Sequence, residues 1–336
     1  MMSSTSLPNF LRNFKVNDLT KILWGFSQTA KCSSLSIEKT LNGSVLHKTT
    51  EDLSTVTPYF SKTYNIAAYV NSSETLQNLV QLNVDLNKIE KKPYVVDKIL
   101  RLDFERHMKS HILFLSDHVG MEEVGDFITK NPLILCESLE NLQVRVNYLQ
   151  SKGFSDQDIK RIISKNPFWL MFSTVRIDRR FGYFQKCLDL HGRDVRYIAC
   201  KQPKLITYNL YHVKTNMFVI KEEMGFEDIE MKKIVMDKPK ILMINQKSLL
   251  ERFNYIHNTM KIPHTIILEN PGVLFCRNFK IKQRHLFLEK LGRSQYNPNK
   301  ENYVPLLSLI EDSDAEFCKK IAKCTVSDFN LFLKTL

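Results

Sequence analysis

The chain has 336 residues, of which 43% are hydrophobic and 25% charged, the make-up of an ordinary globular protein. That much apolar area excludes a largely disordered chain, and no apolar run approaches the roughly 18 to 20 residues that span a bilayer. Lys and Arg total 48 against 36 Asp and Glu, a formal net charge of +12, which bears on a nucleic-acid partner only through where the excess lies.

The excess is regional: residues 151–300 hold 28 Lys/Arg and 14 Asp/Glu, whereas residues 101–150 hold 5 and 8. Glycine is scarce at 10 residues, and the only strong hairpin dipeptide is Asn42-Gly43. An all-β fold of this length needs many such turns, so long helices joined by short loops are expected.

Residues 1–45 are rich in Ser and Thr and carry Arg12, Lys15, Lys21, Lys31 and Lys39 against only Asp18 and Glu38. Phe10, Leu11, Phe14, Leu19, Ile22, Leu23 and Phe26 recur at helical spacing between the basic residues. This amphipathic, acid-poor pattern is that of a mitochondrial transit peptide; a basic disordered tail is the other reading. Residues 46–74 show no sustained period and read as a poorly ordered linker.

From residue 75 a repeat takes over. Pro132, Pro167, Pro203, Pro239 and Pro271 are spaced by 35, 36, 36 and 32 residues. Three residues after each proline stands a large aliphatic: Leu135, Leu170, Ile206, Leu242, Leu274. Ten residues after stand Leu142, Ile177, Val213, Leu249 and Ile281; fourteen after, Val146, Phe181, Met217 and Phe253, with His285 as the exception; seventeen after, Leu149, Phe184, Ile220, Ile256 and Leu288. Offsets of 10, 14 and 17 lie on one face of an α-helix.

Each unit therefore reads as a short helix, a break at proline, an apolar turn and a longer amphipathic helix. Proline lacks the N–H and restricts the residue before it, so it closes the short helix at the same point each time. Stacked units bury each other's apolar faces, which makes an all-α solenoid over residues 75–292. A degenerate copy surrounds Pro93, with roughly five extra residues before its long helix. After Gly292 the period is expected to stop, leaving residues 293–336 as a C-terminal helical cap.

No phosphate-cradling glycine loop, HExxH or Ser-His-Asp grouping is present, and catalysis is not expected. His107 and His111 share a helix face but have no third ligand at metal spacing, and read as a solvated face; no metal or cofactor is expected. The seven cysteines form no zinc spacing and read as free thiols, mostly core fillers, of a reducing compartment.

The unit resembles the mTERF repeat, through its single proline, the apolar pair that follows (Leu205-Ile206, Ile241-Leu242, Val273-Leu274) and the Leu/Phe register of the long helix. Leu100 to Lys109, Ser138 to Leu149, Arg176 to Lys186, Lys280 to Pro298 and Asp328 to Leu336 are similar to the third metazoan branch of the mTERF family. The resemblance implies a mitochondrial matrix protein with a curved, half-ring solenoid and a basic groove for double-stranded nucleic acid. It also implies regulation of transcription. For that branch it implies repression of initiation at the promoter region of mitochondrial DNA, with ribosomal RNA binding and ribosome biogenesis as the alternative. Ribosome-assembly proteins are then candidate partners, and a monomer is expected.

The same alignment places Arg145, Arg180, Arg252 and Arg284 thirteen residues after the proline, with Asn216 at the remaining position. A guanidinium repeated once per unit could follow a phosphate backbone, and Arg176, Arg179, Lys214, Lys280 and Lys282 would widen that row. The competing reading is structural: this offset lies on the flank of the apolar stripe, where an Arg can cover a joint between units or pair with a carboxylate from the next one. Both readings stay open at this stage, as do a nucleic-acid regulator and a protein-binding scaffold.

Overall fold

The computed structural model describes residues 65–336, which belong to one compact unit. The expected transit peptide at 1–45, and the linker up to residue 64, lie outside the described residues. Residues 65–74, expected to be linker, are instead folded: Ala67–Val70 is helical, Ile66 is buried, and its N–H donates to Glu90 Oε1 at 3.1 Å. So short a helix shows no period of its own, which hides it in the sequence.

The repeat is built as its spacing predicts. Short helices Met121–Lys130, Asp156–Lys165, Gly192–Lys201, Asp228–Asp237 and His264–Glu269 each stop just before a proline. The pre-proline residues Asn131, Asn166, Gln202, Lys238 and Asn270 all have φ between −138° and −127° and ψ between 55° and 82°, outside the α region that the proline ring disfavours in its predecessor.

The proline then opens a tight turn, Pro132–Cys136, Pro239–Met243 and Pro271–Phe275 being 3-10 in character, as is Trp169–Met171. Pro203–Thr207 is α-helical instead. Six residues past each proline sits the N-cap of the long helix. Ser173, Asn209 and Asn245 accept from backbone N–H groups of the first turn, each contributing about 1 kcal/mol to helix stability.

The long helices are Leu139–Ser151, Thr174–Leu188, Leu210–Phe218, Gln246–Asn254 and Asn278–Lys290. Leu210–Phe218 and Gln246–Asn254 run on through the π-helical turns Val219–Glu223 and Tyr255–Thr259, and a left-handed residue, Gly153, Asp189, Gly225, Lys261 or Gly292, closes each unit. Side chains at offsets 3, 10 and 17 are at most 2% exposed, and the aliphatics and aromatics at offset 14 at most 8%. The exception at offset 14, His285, is buried as well, and its Nδ1 lies 2.8 Å from the Tyr296 hydroxyl.

After Gly292 only the proline turn recurs. Pro305 stands 34 residues after Pro271 and opens another 3-10 turn, Leu306–Leu309, with Leu306 and Leu309 buried. No short helix precedes Pro305, and Ala315 and Lys319, ten and fourteen residues after it, are exposed, so the rest of the unit does not recur in the C-terminal segment. Among the described residues no helix is long and apolar enough to cross a membrane. The six described cysteines are free thiols, but only Cys318 is buried, while Cys136 and Cys187 are exposed, so core filling is a minority role.

Candidate nucleic-acid interface

The plus-thirteen side chains turn toward the next unit. Arg252 is 8% exposed; its Nε donates to Ser248 O at 2.6 Å and its Nη1 to Cys276 O, in the following proline turn, at 3.1 Å. Arg284 is 1% exposed and donates to Ser308 O at 3.3 Å, Asp312 O at 2.6 Å and the Asp314 carboxylate at 2.7 Å, with its guanidinium over the Phe317 ring. Arg145 donates to Leu170 O and pairs with Glu137 at 3.0 Å. Asn216 is fully buried and donates to Ile241 O and Ile244 O at 3.2 and 2.8 Å.

A short amide thus fills the same position as a guanidinium because the acceptor is of the same kind: carbonyl groups of the next proline turn. His111 belongs to this set. Once the five extra residues of the Pro93 copy are allowed for, it is the plus-thirteen residue of that unit, and its Nε2 lies 2.7 Å from Glu137 O. His111 is buried and its ring joins two units, so the expected solvated face holds for His107, which is exposed, and is corrected for His111. Lys280 is corrected likewise, its Nζ donating to Ile310 O at 2.7 Å and Asp312 O at 3.2 Å.

Of the two readings of the plus-thirteen row, Arg145, Arg252 and Arg284 follow the structural one, as joints between units. A buried guanidinium spending its donors on carbonyls satisfies acceptors that would otherwise be orphaned, and little of it remains for a phosphate. A second ladder runs beside the first: Asn131 Nδ2 donates to Pro167 O at 2.8 Å, and Asn166 Nδ2 to Pro203 O at 3.2 Å and Thr207 Oγ1 at 2.8 Å.

Other cations do stay at the surface. Arg176, Arg179, Lys214 and Lys282 are exposed, and none of them forms an ion pair among the described residues. Three rest on aromatic rings: Arg176 over Phe172 at 4.3 Å, Lys214 over Tyr183 at 5.6 Å and Lys282 over Tyr255 at 5.2 Å. The last two pairs share one register, a residue eleven past one proline meeting a Tyr sixteen past the previous one. Tyr148 and Asp178 occupy the same pair of positions and are hydrogen-bonded at 2.7 Å. An aromatic face orients an ammonium without neutralising it, so these charges are placed yet available.

Arg180 stands apart from the other plus-thirteen residues. It is half-buried, its Nη1 is enclosed with no hydrogen-bond partner, and burial, followed by the charge of Arg176 one helical turn away, pushes its pKa below the ordinary arginine value. The proline turn of the next unit is Pro203–Thr207, the α-helical one, whose carbonyls are directed differently from those of a 3-10 turn.

The sequence profile of mTERF matches residues 13–318. The chain belongs to the mTERF family. It is 47% identical over 273 residues to "Transcription termination factor 3, mitochondrial" of Drosophila melanogaster, a match spanning 81% of this chain and 77% of the fly protein. It is 48% identical over 275 residues to the Mus musculus protein of the same name, spanning 81% of this chain and 66% of the mouse protein. "Transcription termination factor 4, mitochondrial" of Mus musculus is 27% identical over 57% of this chain and 56% of its own length.

Within this mTERF solenoid, the basic residues marked by spacing divide in two. Arg145, Arg252, Arg284 and Lys280 act in joints; Arg176, Arg179, Lys214 and Lys282 face outward, with Arg180 between the two groups. The structure adds two residues that spacing did not mark: Tyr211, 78% exposed, and Phe218, 57% exposed. They stand eight and fifteen residues past Pro203, offsets that the helical period places opposite the buried stripe. An aromatic at an outward offset is the signal that could have found them.

Proposed function

We propose that this protein is a nucleic-acid-binding regulator of mitochondrial gene expression, acting in the matrix. It binds mitochondrial DNA through the outward cations of the mTERF units and represses transcription initiation. The observation that carries this reading is the set of exposed, carboxylate-free charges at Arg176, Arg179, Lys214 and Lys282. They lie within the stretch whose Lys/Arg count is twice its Asp/Glu count. The names of the fly and mouse relatives point the same way.

The Arg179→Glu/Lys214→Glu double variant tests it, because both side chains are exposed and neither donates a hydrogen bond to a neighbouring unit. On a duplex from the promoter region, affinity at low salt is expected to fall at least about tenfold. The slope of log K against log salt is expected to flatten by about 0.9 for each phosphate that the variant no longer neutralises. Unchanged affinity and slope, with unchanged circular dichroism, would overturn the assignment.

A second reading is a scaffold in mitochondrial ribosome biogenesis that binds ribosomal RNA or an assembly protein. The exposed Tyr211 and Phe218 favour it, since contacts to duplex phosphates do not call for aromatic surface. Crosslinking in intact mitochondria separates the two: recovery of promoter DNA supports the first, and recovery of ribosomal RNA or assembly proteins without DNA supports the second.

A further inference from the structure

Resting on the nucleic-acid reading above, we infer that the joint between the Pro167 and Pro203 units is a contact site for an unpaired, single-stranded stretch of nucleic acid. In this site Arg176 and Arg180 hold a phosphate and Tyr211 and Phe218 stack on bases.

At this joint the plus-thirteen arginine fastens nothing. Arg145, Arg252 and Arg284 spend their N–H groups on carbonyls of the following turn, whereas Arg180 Nη1 is enclosed with no acceptor. Arg176 is one turn away on the same helix, so two like charges face the same side, and neither forms an ion pair among the described residues. The arrangement is electrostatically unfavourable as it stands. A phosphate held by the exposed Arg176 beside the half-buried Arg180 guanidinium would supply the missing negative charge. Arg176 is oriented for this by the Phe172 ring beneath it, at 4.3 Å.

The aromatic half of the site follows from register. Tyr183 meets the next long helix at two points: Lys214 lies over its ring at 5.6 Å, and its hydroxyl lies 3.4 Å from Met217 Sδ. Arg179 is four residues before Tyr183 and Tyr211 is three before Lys214. One turn toward the N-terminus on each helix therefore sets Tyr211 at the level of Arg179 and Arg180. Phe218 lies seven residues beyond Tyr211 on the same helix, a separation of about 10 Å at the helical rise. The order along this edge is aromatic, cation, aromatic: Tyr211, Lys214, Phe218.

Two exposed rings interleaved with cations form a platform for bases whose faces are uncovered. A duplex hides those faces, so the rings add nothing to its binding, while the cations serve either form. Tyr211 and Phe218 make no ring–ring contact among the described residues, and Tyr211 is the more exposed of the two, as expected of side chains that serve something outside the chain.

Binding of the full-length protein to three fluorescently labelled probes tests the inference: a 20-nucleotide oligouridine, a 20-nucleotide oligothymidine and a 20-base-pair duplex. Tyr211→Ala is expected to weaken the single-stranded probes at least about fivefold, the low end of one base–aromatic stack, and to leave the duplex unchanged. Tyr211→Phe keeps the ring and is expected to bind as the parent does. Arg180→Gln is expected to weaken all three probes and to flatten the salt dependence.

Equal losses on duplex and single strands for Tyr211→Ala, or no loss on either single strand, would overturn the inference. Duplex binding could stand in that case, leaving the proposed function intact. If none of the probes binds, both readings fall. The ratio of oligouridine to oligothymidine affinity separates RNA from DNA as the source of the strand.

Discussion

Arg284→Ala is expected to destabilise the C-terminal end of the solenoid by about 3–4 kcal/mol, the largest loss from any single joint. The wild-type guanidinium donates to two carbonyls and one carboxylate and is 1% exposed. Hydrogen bonds from a charged donor contribute roughly 1.5–3 kcal/mol each. The carboxylate side counts for less, because the Asp314 side chain is 57% exposed and solvent screens it.

Alanine would also remove the stem packed against Phe317. Solenoid units contact only their neighbours, so the loss stays local: amide exchange across Leu306–Ala322 should accelerate while the units around Pro132 and Pro167 keep their protection. Uniform exchange throughout the chain, or protection equal to wild type, would refute the joint assignment. Arg284→Lys should recover only part of the loss, since an ammonium cannot reach in two directions from one plane.

Gly125→Ala is expected to separate the first layer of helices from the rest, at a cost of about 3 kcal/mol or more. A Cβ built on Gly125 lies 1.8 Å from Leu82 O and 2.9 Å from Leu82 C, and these are backbone atoms with no rotamer to escape into. Overpacking a core with yielding side chains costs roughly 1–3 kcal/mol; a rigid main-chain contact leaves movement of a whole helix as the remedy.

That movement would break the bond from Asp85 N–H to Thr129 Oγ1 at 2.9 Å, itself linked back to Gly125 O at 2.8 Å. Limited proteolysis reads the result: cleavage in the region 82–92 should appear in Gly125→Ala and be absent from wild type. Resistance equal to wild type, with an unchanged melting temperature, would show that the helices can part without loss.

The proline phase makes the fold legible, because proline acts on its own backbone and its predecessor's wherever it stands. The buried offsets are legible because a helix repeats its faces at fixed intervals. The role of the plus-thirteen residues is not, and the reason is physical. Their acceptors are main-chain carbonyls, present at every residue, so no letter in the sequence marks where Arg252 or Asn216 points. Carboxylate partners would be visible as Asp or Glu at a matching offset, and only Asp314 and Glu137 supply them.

His111 is obscured by the five extra residues of its unit. The outward cations Arg176, Arg179, Lys214 and Lys282 stand out by charge and spacing alone. Tyr211 and Phe218 do not, because an aromatic on an amphipathic helix reads first as core. Tyr183 and Tyr255 at offset 16 do sit half-buried against the next unit, and Phe184 and Phe287 are buried outright.

Joints that close on carbonyl oxygens have a bearing on how such a chain can change over time. The receiving side of each contact survives almost any replacement, since mutation alters side chains and leaves the peptide group in place. Only the donor is under constraint, and an arginine, an asparagine or a histidine will serve. Modules fastened in this way are close to interchangeable: one can be duplicated, deleted or allowed to drift in its surface residues while its neighbours still find something to hold.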